Sequence, residues 1–268
     1  MAVGISSSCY YPLETECALQ RLADAGIRDT EIFFNAQCET HGAFLKTICD
    51  VVRQGSLSVH AVHPYCSFAE THLLFSPYKR RMLDGIEVYK GLCDAANTLG
   101  AKYLIVHGEK EPFRISDDEY IERFARLEEI VRTEGICLTQ ENVVHFRSQT
   151  TQFLEKMRSG MGEHFHMTFD VKQAVRSGQD PLDFAKRFSD SIVHVHISDH
   201  GEKGDCLAPG KGSFSFESLF SQLCRAGYRG QYMIELYRSS YTDEAELWDC
   251  YKKVSKIHAK TIEKYVTE

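Results

Sequence analysis

Three imidazoles and three carboxylates stand late in apolar, strand-like runs of this chain. They are His63 in VHAVHPY, His107 in LIVHGE, Glu141 in LTQENV, Asp170 in MTFDV, His196 in SIVHVHISDH and Glu235 in YMIELYR. Singly, each has an ordinary reading. A lone histidine can be a hydrogen-bonded rim residue, a lone glutamate can pair with a lysine or arginine, and Asp170 can cap a helix beginning near Val171. Jointly they pose an electrostatic problem, because carboxylates buried side by side repel and lose hydration unless a cation or protons compensate. Cationic side chains look scarce at these strand ends, so a divalent metal is the expected counter-charge. Mixed carboxylate and imidazole ligands suit Mn²⁺, Mg²⁺, Co²⁺ or Zn²⁺.

The run 191–200 shows how one segment sorts such residues. Side chains alternate along a strand, so His194 and His196 share a face with Ile192 and Ser198, and Val193, Val195 and Ile197 share the other. His196, the later imidazole, is the candidate ligand. His194 lies one layer deeper and reads as core, and Asp199 reads as a rim residue.

The elements that must position these groups follow from periodicity. Strand-like runs occur at 3–9, 30–35, 57–63, 101–108, 136–143, 164–171, 191–198 and 231–237. Amphipathic helical patterns lie between them, among them Glu14–Ala25, Tyr78–Leu99, Asp117–Arg132, Phe216–Ala226 and Asp243–Tyr265. Gly26, Gly100, Gly135 and Gly227 stand where helix C-caps are expected. Eight strands alternating with helices predict an α/β fold, a single (β/α)8 TIM barrel spanning 1–268 as one domain. No G-x-G-x-x-G turn follows a strand, which argues against a doubly wound open sheet. In a barrel the strand C-termini form the active face, so polar residues late in strands are candidates for chemistry.

Composition narrows the partners. With 31 basic against 38 acidic residues the formal charge is −7, and no Lys/Arg-rich run offers a surface for nucleic acid phosphates. The ten cysteines include no C-x-x-C pair, and several (Cys49, Cys93, Cys137, Cys224) sit among apolar neighbours, so reduced thiols in a cytoplasmic protein are expected. No run approaches membrane-spanning length, and the N-terminal MAVGISSSCYYP lacks the pattern of a signal peptide. Trp248 and the aromatics of the last helix are expected to pack on the barrel or on another subunit of a homo-oligomer.

The segments QENV, TFDVKQA, HVHISDH followed by PGKGSF, and MIELYR together resemble the xylose isomerase-like barrel superfamily. The likeness is greatest to its sugar phosphate isomerases/epimerases, which include ketose 3-epimerases and hydroxypyruvate isomerase. The resemblance implies one divalent metal, Mn²⁺ foremost, held by Glu141, Asp170, His196 and Glu235, with Glu141 and Glu235 also handling the proton. It implies substrate contacts, or a second metal, at His63 and His107. Gln173 stands where several epimerases have His, and is expected to touch substrate. Lys211, within LAPGKGSFSF, would reach the substrate from the loop after strand seven, a plain surface turn being the alternative. The superfamily's apurinic-site endonucleases use three zinc ions, but the corresponding ligand positions here are Gln173, Gly204 and Cys206. An arginine found shortly after the strand-seven histidine in some epimerases is also absent, so the sugar itself does not transfer.

The implied chemistry is isomerisation or epimerisation of a sugar or sugar phosphate. The metal polarises a carbonyl, one glutamate takes the adjacent C–H proton to give a metal-stabilised cis-enediolate, and the other returns it. The alternatives are an endonuclease-like phosphodiesterase and an inosose-type dehydratase, in which the same enolate expels a β-hydroxyl. His72, Arg80, Arg81, Arg114, Arg147 and Arg238 stand in or near the rim loops and could meet a phosphate, with solvated surface charge as the ordinary reading of each.

Overall fold

The computed structural model describes residues 2–266. Eight parallel strands close into a barrel: β1 (Val3–Ser6), β2 (Asp29–Phe33), β3 (Ser58–His63), β4 (Tyr103–Val106), β5 (Cys137–Glu141), β6 (Met167–Asp170), β7 (Ile192–Ile197) and β10 (Tyr232–Ile234). They follow one another round the ring in chain order, and β1 pairs with β10 to close it. The strands are short, largely buried and mostly apolar on their outer faces, where the surrounding helices pack. The expected helices appear as Thr15–Asp24, Arg81–Leu99, Asp117–Thr133, Phe216–Arg225 and Glu244–Val266. Among the described residues no helix is long and apolar enough to cross a membrane.

An element that periodicity did not reveal follows β7. Residues β8 (Asp199–Gly201) and β9 (Gly204–Leu207) form a two-stranded antiparallel hairpin outside the barrel. Asp199 organises it. Its Oδ1 accepts from the amides of His200 and Phe214, and its Oδ2 from those of Gly210 and Gly212, at 2.8 to 3.0 Å. The buried carboxylate thereby fastens the hairpin to the turn that follows it. A Cβ on Gly212 would lie 2.3 Å from the His200 carbonyl, so only glycine lets the turn approach this closely.

Register sets the active rim. Asp170 of β6 pairs with His196 of β7, which pairs in turn with Met233 of β10. Phe33 of β2 lies level with His63 of β3. These residues therefore end their strands at comparable height. Trp248 is partly buried against the core and donates from its indole N–H to Tyr10 Oη at 3.0 Å. All ten cysteines are free, with Cys9, Cys66, Cys93, Cys206 and Cys250 buried, but Cys17 and Cys38 are exposed.

Gly108 marks where the chain leaves β4. It adopts φ +95°, and a Cβ there would stand 2.0 Å from Tyr120 Oη. That hydroxyl donates to Gln140 Oε1 at 2.6 Å, and its ring stacks on Phe75 with centroids 4.0 Å apart, so it cannot give way freely. Gly108→Ala is expected to cost about 2–3 kcal/mol through backbone strain and overpacking. Urea unfolding would show this as a lower midpoint, and an unchanged midpoint would contradict the packing.

Candidate functional site

The three carboxylates predicted at strand ends do meet, and they meet around one imidazole. His196 Nδ1 lies 3.4 Å from Glu141 Oε1, 3.6 Å from Asp170 Oδ2 and 3.6 Å from Glu235 Oε2. All four residues are essentially buried, and one ligand atom from each lies within 4.8 Å of the others. Such separations suit donors sharing one ion at bond lengths of roughly 2.0–2.2 Å. Beside them, both ring nitrogens of the buried His63 lack a hydrogen bond. The donor set thus fits a divalent metal both in chemistry and in spacing.

Each ligand candidate is aimed by its neighbours. Asp170 divides its duties: Oδ1 accepts from Gln173 N at 3.0 Å and caps the helix Val171–Arg176, while Oδ2 faces the cluster. The expected cap and the expected ligand are therefore the same side chain. Asn142 reinforces it by accepting from Asp170 N at 2.8 Å and donating to Asp170 O at 3.0 Å. Glu235 follows β10 and its amide donates to Ile197 O at 3.2 Å. On either side of it, Cys9 Sγ donates to Ile234 O and accepts from Leu236 N, both at 3.3 Å.

Two members of the site escaped the sequence reading. Glu31, in the middle of β2, is fully buried. Its Oε1 accepts from Ser6 Oγ at 3.0 Å, and its Oε2 lies 2.9 Å from His196 Nε2 and 2.7 Å from His194 Nε2. With an ion among the other three carboxylates, a proton on His196 Nε2, held by Glu31, would leave the Nδ1 lone pair for that ion. The signal was present: a glutamate alternating with apolar residues in TEIFF, where a barrel strand should be apolar on both faces. His194 is core, as expected, but through this hydrogen bond to Glu31 rather than through apolar contact alone.

The second is Lys172, whose Nζ donates to both Asp170 Oδ2 and Glu235 Oε2. This corrects the expectation that cations are scarce at the rim. The lysine comes not from a strand end but from the first turn of the following helix, two residues past Asp170. Burial would lower its pKa, but the surrounding Asp170, Glu235 and Glu141 outweigh burial and hold it well above the usual value. In the opposite sense, burial raises the carboxyl of Asp170. Burial likewise works against ionised Glu141, but the imidazoles of His107 and His196 hold it well below the ordinary range.

The remaining expected contacts divide. His63 is fully buried, stacked on Phe33 with centroids 4.8 Å apart, and stands 3.8 Å from Glu141 Oε2; burial presses its pKa down to about 4. His107 Nε2 is 3.0 Å from Glu141 Oε2. Gln173 accepts from Val144 N through Oε1 at 3.1 Å. His107, Gln173, Glu141, Lys172 and Glu235 line a cavity of about 320 Å³ whose other walls include Tyr11, Phe33 and Tyr237. Lys211 is not brought there. Its Nζ pairs with Glu246 at 2.8 Å on an exposed surface, because the turn that carries it is drawn toward Asp199.

None of the rim arginines lines that cavity either. Arg147 is no solvated surface charge: it is buried, donates to Glu109 Oε2 at 2.6 and 3.0 Å and to Asp117, and has Phe113, Tyr120 and Phe153 around it. Arg238 caps the carbonyls of Tyr241 and Thr242.

A family model described as the xylose isomerase-like TIM barrel matches residues 19–251. The chain belongs to that family. Among solved structures, a D-tagatose 3-epimerase-like protein superposes with TM-score 0.79 at 20% identity, covering 99% of this chain and 100% of the other. An L-ribulose 3-epimerase gives TM-score 0.77 at 17% identity, covering 100% and 98%. At those identities the likeness carries the fold. Among curated proteins, an uncharacterized protein of Mycobacterium leprae (strain TN) is 23% identical over 269 residues, 91% of each chain. An inosose dehydratase of Clostridium botulinum (strain Alaska E43 / Type E3) is 28% identical over 129 residues, 41% of this chain and 43% of its own.

Within this family barrel, Glu31 is the carboxylate on which both His194 and His196 depend. Glu31→Ala would strand two buried imidazole N–H groups and the hydroxyl of Ser6, at an expected cost of about 3–5 kcal/mol. Denaturant unfolding of the variant checks this. A loss below ~1 kcal/mol would mean that His194 and His196 are held by other contacts.

Proposed function

We propose that the barrel mouth is an active site for proton transfer at a carbon next to a carbonyl, acting on a sugar or a sugar-like ketone in the manner of an isomerase or epimerase. One observation carries the reading: Glu141 and Glu235 flank a shared donor set and both line the same cavity. Glu141, Asp170, His196 and Glu235 would hold a divalent ion, Mn²⁺ foremost, which when bound supplies Lewis-acid polarisation of a carbonyl oxygen. The named epimerase neighbours support that class of chemistry.

The residues of the chain then have distinct duties. Glu141 or Glu235 removes the proton from the carbon beside the carbonyl, and the other carboxylate returns one. Return to the same carbon from the opposite face inverts it, whereas return to the neighbouring carbon exchanges ketone and aldehyde. His107, 3.0 Å from Glu141, stabilises the ionised base and lines the cavity. His63, buried under the cluster, keeps water from the inner side. Phe33, Tyr11 and Tyr237 offer apolar walls for the C–H face of a sugar ring. A cavity of about 320 Å³ beneath a chain of net charge −7 favours a small molecule over nucleic acid.

A second reading rests on the inosose dehydratase relatives. The same deprotonation, followed by departure of a β-hydroxyl, yields loss of water instead of inversion. The two readings share their first step and differ in the fate of the electron pair.

Incubation with Mn²⁺ and a panel of ketoses and cyclic polyol ketones in D₂O, followed by ¹H NMR, tests both. Deuterium entering the carbon beside the carbonyl is the expected outcome, with an olefinic or deoxy product marking dehydration. Glu235→Gln is expected to slow exchange by ~10²–10⁴-fold, and near-normal exchange by that variant would refute its acid–base duty.

A further inference from the structure

Lys172 has a geometry that the proton-transfer scheme does not use. Its side chain is only 5% exposed, and its Nζ donates to Asp170 Oδ2 and Glu235 Oε2. Those are the same two oxygens that stand 3.6 Å from His196 Nδ1. The ammonium therefore binds the very atoms that a metal in this donor set would use. Asp170 cannot readily offer the other oxygen, because Oδ1 is committed to the amide of Gln173. Of the four donors only Glu141 and His196 are free of the lysine. Burying Glu31, Glu141, Asp170 and Glu235 together demands positive charge, and Lys172 supplies it from within the chain.

Resting on the metal reading above, we propose that Lys172 is a resident cation that competes with the divalent ion for Asp170 and Glu235. In the metal-free protein the ammonium balances the two carboxylates and lets the fold stand without an ion. When an ion binds, the ammonium is displaced toward the cavity that Lys172 already lines, where the Tyr237 ring centroid lies 6.0 Å from Nζ. The site is consequently one of exchangeable occupancy. Its affinity is set by the difference between two cations and not by the donor set alone.

The competition predicts opposite effects of one substitution on two measurements. Lys172→Met removes the charge while keeping most of the apolar stem. Mn²⁺ titration by calorimetry should show the variant binding at least ~10-fold tighter than the wild type, since the ion no longer displaces a charge within the same coordination space. Thermal unfolding should show the metal-free variant melting below the metal-free wild type, with Mn²⁺ restoring the difference. Should Lys172→Met be recovered only in the presence of Mn²⁺, Lys172→Gln replaces it, because the amide still donates to the carboxylates but carries no charge. Binding of one Mn²⁺ with equal or weaker affinity in the uncharged variant would overturn the competition and leave the metal site standing. Failure of wild type and variants alike to bind Mn²⁺ would overturn both.

Discussion

The rim of this barrel depends on an imidazole held between negative groups on its two sides. Glu31 takes the Nε2 edge of His196, and Glu141, Asp170 and Glu235 gather about the Nδ1 edge. A ring fixed in this way cannot drift in orientation without breaking a charge-assisted hydrogen bond in a low-dielectric interior. The remainder of the mouth can be understood as support for that alignment. His194 shares the Glu31 oxygen, His63 fills the space beneath Glu141, and Lys172 brings positive charge to the far side.

The scaffold provides this support through paired strands and through caps. The β6–β7 register sets Asp170 level with His196, and Asn142 from the neighbouring strand end ties down the Asp170 backbone in both directions. Glu70, buried beneath the β4 exit, accepts from Gly108 N at 2.6 Å and from Tyr89 Oη at 2.7 Å; burial raises its pKa to about 7. That contact fixes the turn immediately after His107. Polar groups at the mouth are thus held by other polar groups one layer out, each nearly satisfied, with apolar packing outside them.

Much of this was legible in the amino-acid order, for identifiable reasons. Strand and helix periods differ so strongly that eight alternating units could be counted, and polar residues late in strands stood out against valine, isoleucine and leucine. Glu141, Asp170, His196 and Glu235 were visible because each ends its strand. Glu31 was not, because it lies mid-strand, where a charged residue resembles an edge position until the ring is seen to close around it. Lys172 was hidden for another reason: side chains from the first turn of a helix reach back over the strand end that precedes them, and linear spacing does not show this. Lys211 illustrates the converse. Its glycine-rich setting looked like a substrate loop, but those amides turn inward to Asp199 and carry the lysine away. The β8–β9 hairpin is too short and too polar to announce itself by alternation.

The thiol of Cys9 bridges the two ends of the chain's ring. It belongs to the turn following β1, and it grasps the main chain on both sides of Glu235, beyond the last strand. The seam at which β1 meets β10 is consequently also the jig that sets one carboxylate of the buried cluster. A partly assembled barrel, with its first seven parallel strands in place and the eighth still loose, would present Glu141, Asp170 and His196 without their fourth partner. Completion of the four-residue cluster and closure of the ring are therefore a single event in this molecule.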